Sequence, residues 1–584
     1  MLTGCVALVL AALTAETSAA ADFADVIVTG GRIYTVEPSQ PWVSTVAIRG
    51  KRFIYVGDET GSKGVVGPNT HVINLDGRMA MPGIHDAHAH LLLSGIQNTV
   101  ECKLPHYDAA NLSDVITSLK ACERNLADNE WLVGGRVFYT QFPNNIQHRI
   151  HLDGAFPDRP VFLDDASLHQ ALVNSKALEI AGIDRGTADP PGGRIVRGAD
   201  GEPTGMLLEN ATWLVRQHIP ATAIRDLEAI RWAVREYNRF GVTSVQEASA
   251  NRRMLTAIRE LDNSGELTLN VAAHLVISNQ SFGYAPNEDL QATVERREIF
   301  RTAHIHPDYI KMWVDGAPLP PWFTSSEMDF QTSEVELQDI LIPPAELKAL
   351  LLRFDAQGLK TKLHAAGHGG VHVAIDAMAA ARQRSNASKL RHELGHASSI
   401  TPADMERMAR FGIVAEVSPA LWHKIDMLGN PPRSAWEFRS LQNHGVLITM
   451  GTDWVVTPNP SLFVGLQGML QRGDESLSLP EAIRTMTING AIALGWDGQH
   501  GSVETGKIAN LIILDRNLFD VPVDDIAATE VLLTIFEGRI VHSSDPETRH
   551  WKHPTGTGAT GDINGKATQG LVDHHPLAPE LLGL

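Results

Sequence analysis

The stretch "MPGIHDAHAH", residues 81–90, places His85, His88, His90 and Asp86 within ten residues, just after a Pro-Gly turn and between apolar flanks. Groups this polar in such a setting make either a wet loop or an interior site that needs imidazole nitrogen. Side chains on a strand alternate between its two faces. Asp86, His88 and His90 would therefore share one face, and His85 the other, as a core residue or a support for a ligand. Two imidazoles spaced by two at the end of a buried strand can grip one cation from the same side. Neutral imidazole suits zinc and similar ions. In a chain with 25 histidines, an H-x-H pair can also arise by chance.

Further candidates are spread along the chain. Lys311 stands inside the apolar run "YIKMWVDG", His364 near the end of "KTKLHAAG", His396 near the end of "RHELGHA" and Asp453 near the end of "LITMGTDW". Each has an ordinary explanation taken alone: a lysine whose head reaches water, a hydrogen-bonded structural histidine, an aspartate capping a helix. Their order on successive strand-like segments argues for one shared site. A metal there would polarise a carbonyl and lower the pKa of bound water from ~15.7 towards ~7, the chemistry of metal-assisted hydrolysis.

Eight β-like runs, at 84–90, 242–248, 269–276, 309–316, 360–367, 391–397, 412–419 and 446–454, alternate with helical stretches such as "PADMERMARF" and "PPAELKALLLRFDAQ". That alternation is α/β, and eight parallel strands of this kind make a (β/α)8 barrel with its chemistry at the carboxyl ends of the strands. The barrel is expected over 81–489, with a cap insertion at about 100–240, which is too long for a plain loop. Short strands and turns fill 22–80 and return over 490–545, where "FEGRIVH" echoes "TGGRIYT", so a composite β-sandwich built from both chain ends is expected. The tail 546–584 reads as irregular.

The net charge of −19 argues against nucleic acid or an anionic membrane as partner. Hydrophobic content of 43% and charged content of 20% describe an ordinary globular chain. Residues 1–21 carry an apolar run, Val6 to Leu13, followed by small residues through Ala21, which reads as a secretory signal without the usual basic start. No other segment has the ~20 apolar residues needed to span a bilayer. The mature protein is expected in the periplasm or outside the cell. Cys102 and Cys122 then remain as a pair flanking "DAANLSDVITSLKA", and a disulfide between them is favoured over free thiols.

On these residues the sequence resembles the amidohydrolase superfamily, and within it the amidohydrolase-3 group of YtcJ-like proteins and N-substituted formamide deformylases. "MPGIHDAHAH" matches the P-G-x-x-D-x-H-x-H first strand, "YIKMWVDGA" the lysine-bearing fourth, His364 and His396 the fifth and sixth, and "GTDWVVTPNP" the eighth. "HQALVNSKALEIAGI", "GGRIVRGADGEPTGMLLE" and "GVTSVQEA" match as well, so the resemblance runs from about Asp25 to Val541. Two departures lie beside the site. The sixth strand usually reads Ile-Glu-His, but here it is Leu394-Gly395-His396, and after His364 the usual Gly-Asp-Arg is "GHGG", 367–370.

The resemblance implies one metal on His88, His90 and Asp453, a second on His364 and His396, and a carboxylated Lys311 bridging them. Asp453 would take the proton of a metal-bound hydroxide and deliver it to the departing nitrogen. Zinc is the first choice of divalent metal, one or two per chain, with manganese, cobalt and iron open. His169, Glu209, Trp313 and Trp454 are candidate substrate contacts, with Asn174 beside them. The function expected is hydrolysis of a non-peptide amide C–N bond in an N-acyl or N-formyl small molecule. A cyclic amide, carbamate or ester is the alternative at the same centre, and a non-catalytic binding protein is a third reading, weakened by the intact ligands. Lys311 counts against the deaminases, which generally lack it. Self-association is left open.

Overall fold

Ile84–Ala89, Val242–Ala250 and Asn270–Val276 are buried at every position. Strands covered on both faces belong in a parallel sheet wrapped by helices. The computed structural model, which describes residues 23–105, 110–277, 289–384, 390–423 and 436–545, sets eight strands side by side. In chain order these are β1 (Ile84–Ala89), β2 (Val242–Ala250), β3 (Asn270–Val276), β4 (Ile305–Trp313), β5 (Lys360–His364), β6 (Glu393–Gly395), β7 (Val414–Val417) and β8 (Ile448–Met450). Each pairs in parallel with the next. Just past β8 the ring closes on β1: Ala89 bridges Trp454, Asp453 N donates to His88 O at 2.9 Å, and His90 N donates to Trp454 O at 3.1 Å. The eight expected strands are the eight observed, with β4 starting earlier, at Ile305, and β6 shortened to Glu393–Gly395. The expected signal segment 1–21 and tail 546–584 lie outside the described residues.

The lower barrel interior holds charge where branched apolar side chains are usual. Lys360, Lys362 and Glu393 are all buried. Glu393 pairs with Lys360 and, at 3.0 Å, with Lys362, while Lys362 also donates to Ala87 O and Lys360 to Ala493 O. Burial alone would raise the Glu393 carboxyl, but the two ammonium groups outweigh it and hold it well below the usual range. Removing one partner of a buried ionic cluster leaves the others unpaired, so Glu393→Ala should lose about 3–5 kcal/mol of stability in denaturant unfolding. A loss under about 1 kcal/mol would mean that these charges behave like hydrated surface ions.

Between β1 and β2 a second sheet forms, in the order Gly193–Arg197, Pro203–Glu209, Gln170–Val173, Val161–Asp165, Leu132–Val137 and Cys102–Lys103. It reaches the carboxyl end of the barrel, where Arg136 Nε donates to Val455 O at 3.1 Å. Its edge strand is stapled by a Cys102–Cys122 disulfide to the helix Leu112–Glu123. That helix starts where Asn111 and Asp114 form a reciprocal cap. Two more sheets use the chain ends. A six-stranded one runs Arg539–Ser543, Val531–Phe536, Leu511–Leu514, Met79–Pro82, Arg32–Tyr34 and Trp42–Val43, so the two echoing "GRI" segments lie in one sheet. The four-stranded one runs Arg52–Gly57, Thr45–Arg49, Val26–Thr29 and His71–Asn74, and Val26, Val46 and Phe53 share an apolar core with Leu511 and Ile535. Among the described residues no helix is long and apolar enough to cross a membrane.

Candidate metal centre

Asp86 joins β1 to the segment after β8. Its Oδ1 accepts from His88 N and Thr452 N, both at 3.0 Å, and its Oδ2 accepts from Thr452 Oγ1 at 2.5 Å. This clamp sets Asp453 opposite the H-x-H pair, with Asp453 Oδ1 at 3.1 Å from His90 Nε2 and 3.8 Å from His88 Nε2. His85 does not join the centre: it turns to Gln246, at 3.4 Å, and to Trp496, close to the buried Glu393 and Lys362 of the lower barrel.

Hydrogen-bond partners decide which imidazole nitrogen faces the centre. Glu416 Oε2 accepts from His88 Nδ1 at 2.5 Å, leaving His88 Nε2 turned to Lys311 Nζ at 3.2 Å. Ser249 Oγ gives its single hydrogen to Glu247 (3.0 Å), so it accepts from His90 Nδ1 at 2.8 Å. Ser418 likewise donates to Glu416 Oε1 (3.0 Å) and accepts from His396 Nδ1 at 3.3 Å. The three rings are thus held by Nδ1, which turns each Nε2 to the centre. His364 is reversed: its Nε2 donates to Gly316 O at 3.3 Å, which leaves Nδ1. Burial pushes His88, His364 and His396 below the ordinary imidazole range, keeping them neutral.

The rings of His88 and His396 lie 4.5 Å apart, those of His364 and His396 4.7 Å. Ligand atoms of His88, His90 and Asp453 lie within 4.8 Å of one another, as do those of His88, His396 and Glu416. His90 Nε2 and Asp453 Oδ1, 3.1 Å apart, can share either a proton or a metal ion between them. This donor set, neutral imidazoles with a carboxylate, fits a divalent metal. Lys311 is fully buried, its Nζ 4.8 Å from the centre of the Trp313 ring, and burial reinforced by Lys362 brings its amine down to about 7.

The inserted sheet contributes to the same end of the barrel. His169 Nδ1 lies 2.9 and 3.0 Å from the two Glu209 oxygens, and its ring is 4.8 Å from that of His364. Burial disfavours charge on His169, but Glu209 and Asp165 outweigh it and raise its pKa. Glu209 Oε1 also accepts from Thr324 Oγ1 at 2.6 Å. His396, Asp453 and Glu209 all have positive φ, of 64°, 51° and 51°. For non-glycine residues this costs on the order of 1–3 kcal/mol each, a strain that gathers at functional sites.

Two expected substrate contacts are corrected. Trp454 does not face the centre: its ring packs between the barrel and helix Ala223–Arg239, 4.8 Å from Tyr237 and 5.8 Å from Trp232. Asn174 serves the insertion internally, capping helix Ser175–Ala181 and bonding Val161 N, Phe156 O and Arg159 O. Trp313 packs with Leu168, Val276 and Val455. Glu416 was missed by sequence reading. Its signal was a carboxylate inside the apolar strand "IVAEV", the same kind of signal that singled out Lys311.

Comparison with known proteins agrees with this geometry. The chain is 27% identical over 541 residues to N-substituted formamide deformylase of Arthrobacter pascens, covering 88% of this chain and 97% of that protein. It is 26% identical to the YtcJ protein of Bacillus subtilis, covering 81% and 91%. An uncharacterized metal-dependent hydrolase from Pyrococcus horikoshii shares the fold, with a TM-score of 0.65 at 21% identity over 85% of this chain and 99% of that one. Residues 71–542 match the amidohydrolase family, and with a site of imidazoles and carboxylate at the carboxyl end of its barrel the chain belongs to that family, a hydrolase of carbon–nitrogen bonds.

Proposed function

We propose that the chain hydrolyses a non-peptide amide, an N-acyl or N-formyl small molecule, at a centre of one or two divalent ions, zinc first among them. The observation that carries this is the convergence of His88 Nε2, His90 Nε2 and Asp453 Oδ1 beside the buried Lys311 amine. His88, His90 and Asp453 would hold one ion, His364 and His396 the second, and a carboxylated Lys311 would stand between them. A bound divalent ion supplies Lewis acidity for the carbonyl and acidifies water. Asp453, beside His88 and His90, takes a proton from the attacking water and passes it to the departing nitrogen. His169, held by Glu209, and Trp313 bound the substrate space from the insertion and from β4. The relative whose name specifies N-substituted formamides supports the choice of substrate class.

The test is a panel of N-substituted formamides, N-acyl amines, cyclic amides, carbamates and esters, assayed with metal-loaded and chelator-stripped protein. Metal-dependent turnover of the open-chain amides above the others is expected. Turnover confined to cyclic amides or esters, or unaffected by stripping, would contradict the reading. The same proposal places the mature enzyme in the periplasm or outside the cell. An intact mass beginning near Ala21 or Asp22 in protein recovered from that compartment is expected, and a full-length cytoplasmic product would contradict it.

A further inference from the structure

We propose that Glu416 is a shared positioning carboxylate that orients one histidine of each ion site, His88 directly and His396 through Ser418. The inference deepens the metal-centre reading above and rests on it. Glu416 Oε2 accepts from His88 Nδ1 at 2.5 Å and from His396 N at 3.2 Å, and Oε1 accepts from Ser418 Oγ at 3.0 Å, which in turn holds His396 Nδ1 at 3.3 Å. Groups that hold the second nitrogen of a ligating histidine fix its tautomer and orientation. His90 has its own support in Ser249 and Glu247, so Glu416 is the carboxylate that the two sites share.

Register makes position 395 the neighbour of Glu416. β6 and β7 pair Leu394 with Ala415, so the next rung sets Gly395 beside Glu416 on the inward face. A Cβ built on Gly395 would lie 3.5 Å from Glu416 Oε2 and 3.6 Å from His88 Cε1. A side chain at 395 would therefore grow into the space that the Glu416 carboxylate occupies. Two carboxylates cannot share that buried spot without repulsion. Ligation by Glu416 is a poorer account, because His88 meets it through Nδ1 while Nε2 looks away towards Lys311 and Asp453.

The test is stepwise Zn²⁺ binding to the full chain in competition with a chromophoric chelator, with far-UV circular dichroism to check folding. Glu416→Ala should weaken both binding steps by about 10–100-fold. Ser418→Ala should weaken only one. Gly395→Glu combined with Glu416→Ser should recover most of the affinity lost in Glu416→Ser alone, a rescue that general destabilisation would not produce. If Glu416→Ala does not fold, Glu416→Gln and the double variant give the same reading. Wild-type affinity at both steps in Glu416→Ala or Glu416→Gln, loss at one step only, or no recovery in the double variant would overturn the inference. Wild-type protein and His88→Ala are run alongside. Equal Zn²⁺ binding by those two, or none by wild type, would overturn the centre itself and this inference with it.

Discussion

Lys311→Ala is expected to lose hydrolysis together with at least one metal ion per chain. The amine is fully buried, 3.2 Å from His88 Nε2 and over the Trp313 ring. A buried ammonium is expensive unless paired or chemically changed. Carboxylation would remove the positive charge and leave an anion between two cations. Short-chain carboxylates added to the Ala variant should restore part of the activity by occupying the same place. Lys311→Arg should not, because a guanidinium keeps its charge and has no lone pair to offer. Metal analysis and turnover on the same samples check this. Normal turnover and metal content in Lys311→Ala would remove the bridge and leave a one-ion centre with Asp453 still as base.

Asp453→Asn is expected to lower kcat by about 10²–10⁴-fold, the usual scale for removing a positioned proton carrier. The amide keeps an oxygen where Oδ1 now lies, 3.1 Å from His90 Nε2, so metal content should fall less than in His88→Ala. It cannot accept a proton from water and return it to nitrogen. Kinetics at equal metal loading check this, with KM expected to change little beside kcat. An Asn variant with kcat within about threefold of wild type would assign the proton transfer elsewhere, since that change is worth under 1 kcal/mol of barrier.

Parts of this site were legible because they obey a period. Alternation along 84–90 places His88 and His90 together, and the structure does so, while His85 lies away from them at the lower end of the barrel. The eight strand-like runs, with Lys311, His364, His396 and Asp453 near their ends, could be read in order without coordinates. Adjacency to Asp453 pointed to Trp454, but neighbours along an extended chain face opposite ways, and its ring lies behind the barrel. What lacked a period was hidden. Glu416 is one carboxylate in an apolar strand, and only the register of β6 against β7 shows what it faces. The Lys360–Glu393–Lys362 cluster joins two strands, and such pairs leave no trace in either strand alone.

Anomalous diffraction at the zinc edge, from crystals of the active enzyme grown with Zn²⁺, tests the central claim most directly. The account predicts one peak about 2.0–2.2 Å from His88 Nε2, His90 Nε2 and Asp453, the distances usual for zinc with nitrogen and oxygen ligands. A second peak is predicted at His364 and His396, about 3.5–4 Å from the first, with density for a carboxylated Lys311 between them. An active crystal with no anomalous peak within bonding distance of His88 and His90 would contradict the account.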